Sequence, residues 1–255
     1  LARKNRSPSY QERYLWLPLE ATGGLADGNT YTGNIKLRPE TSNQVEFGLD
    51  FSNDRLTLSP RLFYSKVDDY IQGTPSKSAP ALMFVNMMNM NNDTNNPPPL
   101  QFNNVEAKLY GFDMDWALQL GRHSALSGIV NYVRGERDDI NDNLFRIAPP
   151  NATVRLGYAR HSWSAQVEGV VYDSQNKVSE TNREQDTSSY GVVNLSATWQ
   201  ATSALQLAAG VDNLFDREYR DHLSGYNRAA NPDIAKRERL PGYGVNAFAR
   251  LMYEF

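Results

Sequence analysis

Cysteine is absent from this 255-residue chain, and histidine occurs only three times. The first absence removes disulfide frameworks, thiolate nucleophiles and cysteine-bound metal centres. It suits a periplasmic or surface location, though many cytosolic proteins also lack cysteine. Long apolar runs are missing too. Nothing approaches the roughly 18 apolar residues of a membrane helix, and the mean hydropathy is −0.60, which excludes a helical membrane protein. Neither charge dominates: 26 Lys and Arg against 29 Asp and Glu give a net −3, so nothing points to nucleic acid. There is no HExxH, GxSxG elbow or phosphate-binding glycine loop, and no enzyme is expected. The chain opens Leu1-Ala2-Arg3-Lys4, without the apolar core of a signal peptide.

What is present is alternation. In the last eleven residues, Val245, Ala247, Ala249, Leu251, Tyr253 and Phe255 share one face of an extended strand, opposite Asn246, Arg250 and Glu254. The pattern recurs: Val45, Phe47, Leu49 and Phe51; Leu56, Leu58, Leu62 and Tyr64; Tyr110, Phe112, Met114, Trp116 and Leu118. It continues through Leu126, Val130 and Tyr132; Val154, Leu156 and Tyr158; Trp163, Ala165, Val167 and Val171; Val193, Leu195, Ala197 and Trp199; and Leu205, Leu207, Ala209 and Val211. These make nine strands, and residues 1–5 read as the end of a tenth.

The connections alternate in length. Residues 11–41, 72–100, 135–149, 173–189 and 215–242 are long; 52–54, 121–124, 160–162 and 201–203 are short. Short turns at one end and long loops at the other mark an outer-membrane β-barrel, with lipid-facing residues alternating against a polar lumen. A soluble β-domain explains one alternating strand but not this rhythm. Phe51, Trp116, Tyr158, Trp163, Trp199, Tyr253 and Phe255 lie near the short-turn end, and Tyr64, Tyr110, Tyr132 and Tyr243 toward the long loops. Two such girdles are expected at the two lipid–water interfaces. An outer-membrane protein needs a signal sequence, so the chain is expected to be the C-terminal piece of a longer one.

At this point a family resemblance enters. GVDNLFDREY at 210–219 is similar to the penultimate-strand motif of TonB-dependent outer-membrane receptors. Arg3-Lys4-Asn5-Arg6-Ser7-Pro8-Ser9-Tyr10, then Gly33-Asn34, Leu37, Pro39-Glu40 and Glu46 with Gly48, resembles the stretch where such receptors enter a large extracellular loop. The resemblance covers essentially residues 1–255. It implies the last ten or so strands of a plugged barrel of about 22, an active importer coupled to TonB through N-terminal parts lying outside this sequence. It also implies a monomeric barrel in the bacterial outer membrane, contacting lipid and lipopolysaccharide, with no cofactor of its own. Its cargo by default is a ferric siderophore. Leu251, Tyr253 and Phe255 resemble the terminal signal by which such barrels are inserted. The other readings of a barrel are a passive porin-like channel, or an outer-membrane enzyme or adhesin.

The least ordinary local feature is Met83-Phe84-Val85-Asn86-Met87-Met88-Asn89-Met90, holding four of the six methionines in a long loop. Methionine is costly to expose, and its thioether is a soft ligand suited to Cu(I). The resemblance has a copper-receptor branch with methionine-rich loops, making Met83, Met87, Met88 and Met90 candidate metal ligands. The bland reading is a loop that folds back and buries Met83, Phe84, Val85 and Met87 as a small core; the third is an apolar grip on an organic chelate. His222 lies in a long loop and is a further candidate ligand, or simply solvated. Tyr31, Arg228, Arg237 and Arg239 are loop residues suited to an anionic chelate, solvent or lipopolysaccharide. Asp138, Asp139, Asn141, Asp142 and Asn143 lack EF-hand spacing and read as a solvated loop. The 210–219 motif reads as structural, with Asn213 and Asp216 as turn residues.

Overall fold

In the computed structural model, which describes residues 1–20, 27–92 and 95–255, every alternating segment forms a strand of one sheet. In chain order the strands are β1 (Ala2–Arg6), β2 (Leu19–Glu20), β3 (Thr30–Thr32), β4 (Glu40–Gly48), β5 (Phe51–Ser52), β6 (Leu56–Pro75) and β7 (Leu100–Gln119). They continue as β8 (Ser124–Arg137), β9 (Asn151–Arg160), β10 (Trp163–Tyr172), β11 (Tyr190–Gln200), β12 (Leu205–Asp212) and β13 (Asn246–Tyr253). The main path runs β1-β4-β6-β7-β8-β9-β10-β11-β12-β13, an up-and-down order in which sequence neighbours pair antiparallel. Short β2, β3 and β5 attach at its margins, β3 lying parallel to the start of β7. The sheet is open, with β1 and β13 as its edges.

The register builds two chemically distinct faces. On one, Phe47 lies opposite Leu62, Leu62 opposite Phe112, and Phe112 opposite Tyr132. Farther along, Leu156 faces Val167, Val167 faces Leu195, Leu195 faces Val211, and Val211 faces Ala247. These apolar side chains are largely exposed, a band far too extensive for a protein surrounded by water. At the short-turn end of the same face, Trp163 lies opposite Trp199 and packs on Tyr158 at 5.0 Å between centroids. The opposite face is polar. Arg155 donates to Glu168 at 2.5 Å, Asn194 donates to the other oxygen of Glu168 at 2.9 Å, and Asn131 donates to Asn151 at 3.0 Å. The sheet itself has no interior.

What apolar core exists sits at the long-loop end. β6 and β7 run well beyond the apolar band, and Tyr31, Leu37, Ile71, Leu100 and Phe102 pack there, with Val67, Ala107 and Leu144 as a second cluster. Tyr31 lies over Gly73, where a Cβ would come within 2.4 Å of the ring; only glycine admits that stacking. The long connections hold structure of their own. Helix α1 (Tyr10–Tyr14) starts from a capping box, Ser9 and Glu12 each accepting the other's backbone N–H. The methionine tract, expected as an irregular loop, is instead helix α2 (Ala79–Asn92). Pro80 in its first turn and the run of Ala, Leu and Met favour that outcome.

The two faces make a direct comparison. Val167→Arg, at mid-height on the apolar face, is expected to cost about 2–4 kcal/mol of folding free energy in a bilayer. Gln166→Arg, its neighbour on the polar face, should change it little. Denaturant titration of the two variants refolded into lipid vesicles checks this; equal costs would remove the assignment of faces.

Candidate functional site

The long-loop end is where functional chemistry can gather, because the strands deliver every long connection to it. A cavity of about 510 Å³ opens there, lined among others by Arg6, Tyr10, Tyr31, Gln72, Phe102 and Arg146. Arg6 is held on one side of it, bonding Glu40 at 2.7 and 2.6 Å and Glu12 at 3.0 Å. Glu40 also accepts the backbone N–H of Ile71 at 2.8 Å, so β1, β4, β6 and α1 are tied at one point. Gln72 is buried; its amide nitrogen donates to Asn182 at 2.8 Å, while its amide oxygen has no partner among the described residues. Aromatic faces, a guanidinium and a spare acceptor make a wall suited to an organic ligand with polar edges.

The structure separates the candidate residues. Tyr31 is no loop side chain reaching outward: it is fully buried, stacked on Phe102 at 5.1 Å, and its hydroxyl donates to Asp27 at 2.5 Å. Burial, reinforced by the Asp27 carboxylate, pushes that hydroxyl far above the usual phenol range. Arg239 is buried as well. Its guanidinium stands 4.6 Å over the Tyr226 ring and donates to the Tyr226 hydroxyl, to Gln185 O, and to the backbone oxygens of His222 and Ser224. Arg237 reaches across to Asn95 and Asn96 at 3.1 and 2.5 Å. Arg228 alone of the three is exposed. Three of the four residues expected to meet an anionic chelate therefore hold loops together.

His222 is neither solvated nor placed as a free ligand. At 1% exposure, its Nδ1 is 3.0 Å from the Thr187 hydroxyl and its Nε2 is 3.1 Å from Glu184. Both ring nitrogens are engaged. The methionines go the other way: Met83, Met87 and Met90 are 71%, 49% and 85% exposed, and Met88 is exposed too, while Ala81 and Val85 carry the buried side of α2. The expected small core of Met83, Phe84, Val85 and Met87 does not form; of these only Val85 is buried. Positions 83, 87 and 90 fall within about 60° of arc on a helix, opposite 81 and 85. Three thioethers thus stand in line on the outer side.

Residues that organise the site but carry no sequence motif lie mostly in 173–189. Glu184 accepts the N–H groups of Arg146 and Ser179 besides facing His222. Asp142 accepts the backbone N–H groups of Glu180 and Thr181 at 2.9 and 3.0 Å and of Asn143 at 2.8 Å. Its neighbours Asp139 and Asp138 pair with Arg137 and Lys108 but are exposed, as Asn141 is, so the run is a solvated loop that Asp142 ties to residues 173–189. Among the described residues no cluster of three or more His, Asp or Glu is placed to hold a metal. The 210–219 motif performs loop closure. Asn213, at φ +48°, donates to Arg217 O and Tyr243 O at 2.9 and 3.1 Å and accepts the Arg217 N–H at 2.8 Å. Asp216 accepts the Val245 N–H at 2.9 Å.

Comparison with known proteins agrees with this architecture. The family described as TonB dependent receptor-like, beta-barrel matches residues 1–214. A vitamin B12 transporter, BtuB, of Vibrio vulnificus strain YJ016 is 27% identical over 232 residues, covering 88% of this chain and 31% of that protein. A solved copper transporter, OprC, superposes with a TM-score of 0.80 at 23% identity, covering 99% of this chain and 36% of its own. A ferric enterobactin receptor, PfeA, from Pseudomonas aeruginosa gives 0.67 at 20% identity, covering 99% and 37%. The chain spans about a third of the length of the relatives it matches.

Two outcomes test the mouth. Burial pushes the Asp142 carboxyl up, but the hydrogen bonds from Thr181, Glu180 and Asn143 outweigh it and leave it below its ordinary value. A carboxyl whose folded value is depressed stabilises the fold above its unfolded value, near 3.9, and loses that contribution as pH falls through the folded one. Protease cleavage within 173–189 should therefore rise below about pH 4 and be raised at neutral pH in Asp142→Asn. A cleavage profile identical to wild type would detach Asp142 from loop docking. Asn213→Leu loses the bonds and meets a left-handed backbone, at about 1–3 kcal/mol, whereas Asn213→Gly should recover only the backbone share in the same denaturation assay.

Proposed function

The chain belongs to the TonB-dependent receptor β-barrel family, and we propose that it is the C-terminal barrel portion of an outer-membrane receptor that actively takes up a metal or metal chelate. One observation carries the transport reading: an apolar outer band and a polar inner face on the same strands, crowned by cross-braced long loops. In this proposal residues 1–255 supply about ten of the roughly 22 strands of a monomeric barrel. Ligand binds at the loops, and a plug encoded elsewhere in the protein moves when TonB pulls on it. Lipid surrounds the apolar band, and Leu251, Tyr253 and Phe255 serve as the insertion signal.

For the cargo, the exposed methionine line favours a soft cation. Met83, Met87 and Met90, flanked by Met88, offer thioether sulfurs to the exterior, and thioethers prefer Cu(I) over harder ions. His222 is left out of this metal set because both its nitrogens are engaged. A ferric siderophore is the second reading, favoured by the aromatic cavity of about 510 Å³ and by exposed Arg228.

Replacing Met83, Met87, Met88 and Met90 with Leu keeps apolar volume and removes the sulfur lone pairs, so folding should change little. Cu(I) titration of the full-length receptor should show binding in wild type and its loss in the four-Leu variant, with ferric-chelate uptake measured in parallel. Equal Cu(I) affinity in both would dismiss these methionines. A wild type that ignores Cu(I) would leave the chelate reading in front.

A further inference from the structure

The chain has no cysteine, so its six methionines hold all of its sulfur. Four of them, Met83, Met87, Met88 and Met90, lie in α2, and Met90 and Met83 are the most exposed of the six. The other two are placed differently. Met114 is half-buried on the apolar face of β7, opposite Val130. Met252 is on the polar face of β13, opposite Gln206, the side that a closed barrel encloses. The sulfur that an external reagent meets first is therefore concentrated on one helix at the mouth.

A thioether is a soft nucleophile, and in a cysteine-free chain it is the readiest group to take an oxygen atom from a peroxide. A sulfur lone pair forms the S–O bond as the O–O bond breaks, and the thioether is oxidised by two electrons to a sulfoxide. The peroxide is reduced, and its departing oxygen takes up the proton and leaves as water or an alcohol. Where methionine is buried, the polar product disrupts packing. On α2 it does not, because the sulfurs lie opposite buried Ala81 and Val85. The helix is also fastened without them: the Asn89 side chain donates to Asn96 O at 2.9 Å and accepts the Asn96 N–H at 2.8 Å.

We propose that Met83, Met87 and Met90 form a methionine-oxidation site for hydrogen peroxide or an organic hydroperoxide, and that sulfoxide formation there switches off capture of a soft cation. The spacing makes the switch sensitive. Met83 and Met87, and Met87 and Met90, are each about one helical turn apart, so one oxygen added anywhere in the line breaks the set of neighbouring sulfurs. A sulfoxide presents a hard oxygen where the thioether presented sulfur, and Cu(I) prefers the latter. The change is chemically reversible, because reductases return each sulfoxide epimer to the thioether. The switch rests on the soft-cation reading above; the oxidation of these residues does not.

The test uses the full-length receptor in detergent micelles, treated with hydrogen peroxide in the absence of copper and then freed of the peroxide. Peptide mass spectrometry should find the gain of about 16 Da per sulfoxide at Met90 and Met83 first, and at Met114 and Met252 last. Cu(I) titration should show binding lost in step with that gain, while heat-modifiable mobility stays that of the untreated receptor. Methionine sulfoxide reductases A and B together should restore binding. Sulfoxide appearing first at Met114 or Met252 overturns the site. Cu(I) affinity unchanged by oxidation of α2 overturns the switch, as does lost binding that persists once the sulfoxides are reduced, or a loss of heat-modifiable mobility on oxidation. An untreated receptor that ignores Cu(I) removes the soft-cation reading and the switch that depends on it, while the order of oxidation still decides the modification site.

Discussion

Backbone pairing in a surrounding that supplies no hydrogen bonds is the constraint from which the rest follows. A strand in hydrocarbon must satisfy every N–H and C=O through its neighbours, so the chain goes up and down and pairs each strand with the one before. Side chains then have only two places to go, lipid or lumen, and the period of two assigns them. No buried apolar interior is needed to hold the sheet, and within the band none is found; the buried apolar clusters lie at the loop end. The band that would drive aggregation in water is what the bilayer solvates.

At the long-loop end that solvent is gone and the constraint reverses. Irregular backbone must find partners in side chains, and acidic and amide groups provide them: Glu184, Asp142 and Asn213 each accept or donate several main-chain bonds. Arg239 works the same way from the cationic side, bonding backbone oxygens of His222, Ser224 and Gln185. These residues add polar bracing to the two small apolar clusters there. Of the charge that sequence inspection assigns to ligand binding, Arg237 and Arg239 are consumed in holding the mouth together, and Arg228 is not.

This explains which parts of the protein the sequence discloses. Strand and lipid face are local properties, visible in residues two apart, and every alternating segment is indeed a strand. The mouth is a product of distance. Asn29 meets Asn182 across 153 positions, Gln72 meets Asn182 across 110, and Arg237 meets Asn96 across 141. No window on the chain holds both members of such a pair, so Tyr31, Arg239 and His222 read as loop residues and prove to be buried ones. Helix α2 is the intermediate case. Its uncharged, asparagine-rich composition conceals it, yet Pro80 followed by Ala, Leu and Met is a helix start that local reading can detect. The 210–219 motif was legible as structure because Asn213 and Asp216 are residue types that tolerate a positive φ, and both adopt one.

Consumption of the loop charges also bears on which groups at this mouth remain free. An anionic chelate needs cations with free hydrogen-bonding capacity, and at this mouth Arg237, Arg239 and Arg6 already spend theirs on Asn96, Tyr226 and Glu40. Redirecting one of them would leave a loop carbonyl or carboxylate unsatisfied, which costs more than a surface contact returns. The methionines face no such competition. A thioether is a poor partner for backbone groups, so Met83, Met87 and Met90 are not drawn into the bracing and stay exposed on α2. Among the loop residues that bracing could have recruited, the exposed methionines of α2 and exposed Arg228 are thus the ones it leaves uncommitted.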